Sequence, residues 1–449
     1  MTEKDTVITL YSKKDNKFAF SFVCLYLIYL LFNKYFQSSL YTFILLLMAM
    51  VFLVFLDSKY LLPPLLLVTL LESWFQVSSS MGFTRVLALM YIGKVLIEGI
   101  IKGYSVPKKF ALEIVLIATI AIYVFMSIVW SLTSDFSSTI SFVMSMLLIL
   151  AMFFAEKENI EELFYLLNIT ALIFSIFIFI NILINIESIT STQVNIHEDV
   201  NNNSVAMGLA QCVAILLGWL IVSKRKWIKV ANIITIFINF ICVLYLGSRT
   251  VLLAMLLGVL LLPLLIRNPA INKKSILKIY VFAGLAIIGI IFIVFMINPD
   301  IMDRFTFDSE AGNATVLSRF YIWEAVLKYV VPKNFFLGVG FGLNNVLVAV
   351  TPYVERAYHA HNLYIAVLAE LGIIGFFLIM GFIGKILISL IKSKNPLSII
   401  PLLMLVIALI NGVGEEMINH RSFWFIFGLA LISLRETVED CVKIKNDKK

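Results

Sequence analysis

The sequence predicts an all-α polytopic membrane protein of about 12–14 transmembrane helices, with a long extracytoplasmic loop late in the chain. Composition is the first observation behind this. With 61% hydrophobic residues, 14% charged residues and a mean hydropathy of +0.99, the chain does not fit a water-soluble globule. The second is the recurrence of apolar runs of roughly 20 residues, the length that crosses a bilayer as a helix. The third is the polar stretch from Asn298 to Ala360, which interrupts those runs near the end and closes on His361 and Asn362.

In chain order the predicted spans cover 18–36, 39–56, 60–76, 84–100, 111–131, 138–154, 163–188, 203–223, 229–246, 250–266, 279–297, 361–391, 397–414 and 422–434. The chain therefore divides into N-terminal transmembrane helices at 1–297, an extracytoplasmic loop with short amphipathic helices at 298–360, and C-terminal transmembrane helices with a cytoplasmic tail at 361–449. Lysine and arginine accumulate in short cytoplasmic loops. With the N-terminus inside, 24 of the 35 basic residues fall in the cytoplasm, 9 fall outside, and Lys94 and Lys385 lie within helices. Both termini are thus expected in the cytoplasm. The net charge of +7 is an orientation signal and a match to anionic headgroups, so nucleic acid is not an expected partner.

The polar start Met1 to Lys17 leads into a full span without a cleavage site, so the first helix is expected to be its own insertion signal. Cys24, Cys212, Cys242 and Cys441 show no metal or disulfide spacing. No Walker sequence is present, so no nucleotide site is proposed, and neither metal nor cofactor is expected.

Polar chemistry collects on the predicted outer face. His197, Glu198, Asp199 and Asn201 to Asn203 precede one span; Ser248 and Arg249 cap the next outward turn; Glu415, Glu416, His420 and Arg421 lie in the last outer loop. Arg249, flanked by spans, costs roughly 2.5 to 3.5 kcal/mol at the interface unless an anion compensates. It is either a headgroup anchor or a bidentate phosphate ligand, which the guanidinium fork suits.

Within the long loop, Val316 to Tyr329 predicts an amphipathic helix with Phe320, Trp323, Val326 and Leu327 on one stripe and Arg319 at its border. Gly338, Gly340 and Gly342 permit tight turns and close backbone approach to a ligand. His361, at the outer end of the next helix, can take a proton from a sugar hydroxyl near neutral pH. Glu370, about two and a half turns deeper, is a candidate functional carboxylate whose structural alternative is an ion pair with Lys94.

Ser318-Arg319-x-x-x-Trp323, Gly338-x-Gly340-x-Gly342 and His359-Ala360-His361-Asn362-x-Tyr364, running on to Glu370-x-Gly372-x-x-Gly375, together resemble the signature region of one family. This is the O-antigen ligase and Wzy-type polysaccharide polymerase superfamily. Asn201-Asn202-Asn203-x-x-Ala206 and Gly247-Ser248-Arg249-Thr250 are similar to its two upstream patches, with Asn202 where the family often has proline.

The resemblance implies a metal-independent, inverting glycosyltransferase of GT-C-like fold in the bacterial cytoplasmic membrane, acting on an undecaprenyl-pyrophosphate-linked oligosaccharide. His361 would be the base, and Arg249 and Arg319 would bind the pyrophosphate. Asn203, Gly338, Gly340, Asn362 and Glu370 would shape the substrate site. The low-GC character of the composition favours a capsule or exopolysaccharide polymerase, with a flippase and a chain-length regulator as candidate partners. Two alternatives stand beside it: a ligase using a different acceptor, and a lipid-linked oligosaccharide flippase, which should place its charge in a central cavity.

Overall fold

The computed structural model describes residues 14–32, 39–71, 76–78, 81–103, 107–133, 136–155, 160–185, 201–266, 284, 289, 310–354 and 359–446. The predicted span 279–297 apart from Gly284 and Gly289, the loop residues His197, Glu198 and Asp199, the basic loop 267–278 and the stretch 298–309 lie outside them.

The described chain is helical almost throughout, because a helix is the single-segment answer to backbone polarity in hydrocarbon. The first half comprises α1 (Lys14–Phe32), α2 (Ser39–Phe55), α3 (Leu62–Leu70), α4 (Phe83–Lys102), α5 (Ala111–Met126), α6 (Phe136–Ala155) and α7 (Ile160–Ile184). A short strand pair, Gln76–Ser78 with Met81–Gly82, joins α3 to α4. Then follow α8 (Asn202–Val222), α9 (Lys226–Tyr245) and α10 (Arg249–Leu265). The late polar segment contributes α11 (Glu310–Ala325) and α12 (Leu343–Val350), and the chain closes with α13 (Leu363–Lys392), α14 (Ile399–Asn411) and α15 (Arg421–Asn446).

Each predicted span within the described residues overlaps a helix, but 60–76 outruns its own: α3 ends at Leu70 and Gln76 already lies in the strand pair. Six are long and apolar enough to cross a membrane: Lys108–Trp130, Phe136–Ala155, Ile160–Ile184, Asn202–Val222, Lys226–Tyr245 and Leu363–Lys392. Others, such as Arg249–Leu265 and Pro396–Asn411, are apolar but shorter.

Glycines let the central helices approach closely. A Cβ on Gly218 of α8 would lie 2.5 Å from Ile400, and one on Gly258 of α10 would lie 2.4 Å from Ile407, both near or on α14. These contacts also fix direction. Residue 258 faces 407 and Gly414 faces Thr250, so α10 and α14 are antiparallel, and the N-terminus of α10 meets the C-terminal end of α14. Leu363 N–H donates to Gly412 O at 2.7 Å, which brings the start of α13 to the same end.

α13 breaks at Gly372, where φ is +63°. The segment Phe335–Gly342 lies along that break and satisfies its freed backbone: Val339 N–H donates to Ala369 O (2.9 Å), Gly340 N–H to Glu370 O (2.9 Å) and Ile373 N–H to Phe335 O (2.8 Å). Gly338 sits at φ +72° with its absent Cβ 2.3 Å from the Glu370 carbonyl oxygen, so only glycine fits. The glycine turn and the Glu370-x-Gly372 pattern are thus two halves of one joint.

Two expectations are corrected. The buried face of α11 and the π-turn after it is Ile322, Ala325, Val326 and Val330, while Phe320 and Leu327 face outward. Ile322, Val326 and Val330 recur every four residues and Ala325 joins them, so the buried stripe is aliphatic and Phe320 and Leu327 fall on the opposite side of the helix. Lys94 does not pair with Glu370. Its ammonium donates to the carbonyls of Phe52, Leu53 and Leu56 and lies 3.9 Å from Glu98.

Candidate functional site

The site forms where α10 and α13 begin and α14 ends, around His361. This is the one non-glycine residue with positive φ, +45°, among the described residues. A conformation of that kind persists only when its surroundings hold it. Five hydrogen bonds do so. The Asn362 side chain accepts the N–H groups of Tyr364 (2.9 Å) and Ile365 (3.0 Å), capping α13, and donates to Val413 O at 3.0 Å. His361 N–H donates to Glu416 Oε1 at 3.1 Å. Trp323 Nε1 donates to Ala360 O at 2.6 Å and ties α11 to the same backbone.

The imidazole is oriented by a carboxylate: His361 Nδ1 stands 3.2 Å from Glu415 Oε2. Burial alone would raise Glu415, but the hydrogen bond and charge of His361, with His420 and Arg319, outweigh it and hold the carboxyl below its ordinary range. An ionised carboxylate can only accept, so in the neutral imidazole the proton sits on Nδ1 and Nε2 presents the lone pair. Burial lowers His420, and the nearby Glu415 opposes this.

Glu416 behaves differently from its neighbour. Burial pushes it up to about 7, against the charge of His361 and the backbone N–H groups of His361 and Ala360. The folded carboxyl therefore holds its proton more tightly than the unfolded chain, whose reference is 4.5. Its stabilising contribution is fully present below the unfolded value and is lost as pH rises towards 7, by about 3 kcal/mol in all. Glu416→Gln is expected to flatten this dependence, so that the wild-type thermal midpoint falls relative to the variant between about pH 5 and 8. Parallel curves would show that Glu416 is ionised throughout.

The two arginines meet beside this dyad. A Cβ on Gly414 would lie 3.4 Å from Arg319 Nη1 and 2.4 Å from Thr250 Cγ2, so α11 brings Arg319 against the start of α10, next to Arg249. Each arginine lies in the other's electrostatic neighbourhood or that of Glu415. Among the described residues Arg249 Nη1 and Ser248 Oγ are sealed from solvent with no hydrogen-bond partner, as are Glu416 Oε2 and Asn419 Nδ2. An unsatisfied buried donor costs about 1–3 kcal/mol, more if charged. Unpartnered polar atoms grouped at one end of a bundle mark a place shaped for something else to bind. Among the described residues no group of three or more His, Cys, Asp or Glu side chains is placed to hold a metal ion.

His361, Arg249 and Arg319 are therefore brought together, with Asn362 positioning the histidine. Gly338, Gly340 and Glu370 belong to the α13 joint: Glu370 is fully buried and its Oε2 accepts Gly342 N–H at 3.0 Å. The close approach that the glycines permit is to the protein's own backbone. Asn203 lies in the first turn of α8, its N–H held by the Asn201 cap at 2.9 Å, away from the hydrogen bonds that hold His361. Sequence reasoning placed Glu415 and Glu416 on this face without giving them a role. Two adjacent carboxylates in an almost uncharged part of the chain were the signal.

Residues 234–380 match the family model described as O-antigen ligase, a span that holds Arg249, Arg319, the glycine turn, His361 and Glu370 and ends before Glu415. Among curated proteins none matches the chain. Fold and family match agree: this is a helical, multi-pass membrane protein, similar over residues 234–380 to the O-antigen ligase family.

Proposed function

We propose that the chain is a metal-independent glycosyltransferase of GT-C type that polymerises undecaprenyl-pyrophosphate-linked oligosaccharide repeat units at the outer face of the bacterial cytoplasmic membrane, with both termini inside. The observation that carries this is the cationic niche: Arg249 with a buried, unpartnered Nη1, Arg319 beside it, and the His361–Glu415 pair adjacent. A diphosphate supplies the oxygens that the niche lacks, and two guanidinium groups match it bidentately.

The chemistry then follows. His361 Nε2 takes the proton of the acceptor hydroxyl as that oxygen attacks the anomeric carbon of the donor. The bond from that carbon to the diphosphate breaks on the opposite side, so configuration inverts. Arg249 and Arg319 stabilise the negative charge that builds on the departing polyprenyl diphosphate. Glu415 holds the imidazole and stabilises the imidazolium.

A ligase would use the same donor half of the site with another acceptor. A flippase has no need of a histidine–carboxylate pair beside a diphosphate niche.

Binding tests the niche directly. Polyprenyl diphosphate should raise the thermal midpoint of the full chain in nanodiscs, with about 2.7 kcal/mol of stabilisation at a hundredfold excess over Kd. The monophosphate at equal concentration should do less. Equal shifts from both lipids, or none from either, would remove the basis for the assignment.

A further inference from the structure

Glu415 and Glu416 are neighbours, yet only Glu415 has a role in the transfer described above. Its carboxylate faces the imidazole of His361, with Oε2 3.2 Å from Nδ1. Glu416 turns to the backbone instead, where Oε1 accepts His361 N–H at 3.1 Å. Its second oxygen, Oε2, is sealed from solvent without a hydrogen-bond partner, in a residue only 6% exposed. A buried oxygen left in this way is costly until something supplies a donor.

A complementary donor stands one turn further on. Glu416 caps the 3₁₀ turn Met417–Asn419, and residues three apart in such a turn share a side, so Asn419 comes round towards Glu416. Asn419 Nδ2 is likewise sealed and has no hydrogen-bond partner. The turn is firmly mounted. Met417 and Ile418 are buried, Trp424 Nε1 donates to Ile418 O at 2.7 Å, and His420 N–H closes the turn on Met417 O at 3.1 Å. Oε2 is one carboxyl width from Oε1, so the unpartnered oxygen lies within about 5.5 Å of the His361 backbone nitrogen, a gap that one sugar residue bridges. His361, Asn419 and His420 are partly exposed and Val413 is exposed, so rotation of these side chains opens the pair to the outer rim.

An acceptor oxygen beside an amide donor is what a sugar hydroxyl needs, because a hydroxyl donates one hydrogen bond and accepts another. A diphosphate fits the pair badly, since a carboxyl oxygen offers it an acceptor and, when ionised, a like charge. We propose that Glu416 and Asn419 clamp a hydroxyl of the acceptor glycan beside the attacking one, and so determine which acceptor is used. The proposal rests on the glycosyltransferase reading with His361 as base. The clamped hydroxyl donates to Glu416 Oε2 and accepts from Asn419 Nδ2, while the attacking hydroxyl of the same sugar meets His361 Nε2. The clamp belongs to the acceptor because Glu416 is bonded to the backbone of the base itself, whereas the donor's diphosphate lies with Arg249 and Arg319.

The test uses the full chain in nanodiscs with one lipid-diphosphate donor. The acceptor is the repeat unit joined to polyprenyl diphosphate through carbon in place of the anomeric oxygen, so that it accepts but cannot donate. The sugar that bears the attacking hydroxyl is supplied intact and in its monodeoxy forms. In the wild type, one deoxy form other than that of the attacking position should raise acceptor KM by about 10-fold or more, because a site built to hydrogen-bond a hydroxyl rejects the analogue that lacks it. Asn419→Ala and Glu416→Gln should each raise KM for the intact acceptor to about the level of that deoxy form and abolish the discrimination, with donor KM unchanged. Glutamine keeps the oxygen that accepts His361 N–H and exchanges the unpartnered acceptor for a donor. Asn419→Ala, in a part-exposed turn, carries the test by itself if Glu416→Gln does not fold.

A wild type that discriminates against no deoxy form, or variants that keep its discrimination, would overturn the clamp while transfer itself stands. An equal fall in kcat with intact and deoxy acceptors would overturn it as well and assign Glu416 to backbone support of His361 alone. If the wild type elongates no acceptor, the glycosyltransferase reading fails and takes the clamp with it.

Discussion

His361→Ala is expected to lower glycosyl transfer by about 10²-fold to 10⁴-fold, the usual worth of a general base, while the protein still inserts and binds polyprenyl diphosphate. The size follows from the geometry. Nδ1 is held by Glu415 at 3.2 Å, which leaves Nε2 as the proton acceptor, and the strained backbone at φ +45° aims the ring. Glu415→Gln should cost about 10²-fold for a related reason: an amide can donate to Nδ1 and so drive the ring into the tautomer that cannot accept at Nε2. Rates are read as polymer formed per enzyme after matching expression. Full-length product from His361→Ala would refute the base assignment.

Arg249→Lys and Arg319→Lys are each expected to reduce activity by about 10²-fold to 10³-fold although the charge is kept. A lysine is a point charge and cannot hold two phosphate oxygens in a fork. The loss should fall on kcat as well as on donor KM, because charge builds on the diphosphate as the glycosidic bond breaks. If either variant polymerises at the wild-type rate, that arginine is an interfacial anchor only.

Much of this was legible in the sequence, and the parts that were not share a physical cause. Apolar runs of membrane length mark helices, so the predicted spans within the described residues overlap helices, although 60–76 runs past the end of α3 at Leu70. Arg249 stood out because charge in apolar surroundings is expensive and needs a reason, whereas Arg319 and His361 gained their expected roles from the family resemblance. The partnership of His361 with Glu415 was hidden, since the two are 54 positions apart and meet only when α13 and α14 pack antiparallel.

The joint between Gly338, Glu370 and Gly372 was hidden in the same way. Alternating glycines show that something comes close, and only the fold shows that it is the broken backbone of α13. The outward turn of Phe320 and Leu327 was misread because the buried stripe of this helix is carried by the aliphatic Ile322, Ala325, Val326 and Val330 and not by its aromatic residues.

The most direct measurement gives the purified protein a single substrate, its lipid-linked repeat unit, in the presence of EDTA and without any nucleotide. On the proposed mechanism, in which Arg249 and Arg319 supply the charge that a metal would otherwise supply, the expected result is a ladder of longer lipid-linked chains with matching release of polyprenyl diphosphate. No product under these conditions, product only after a different acceptor is added, or a strict requirement for divalent metal would contradict the account.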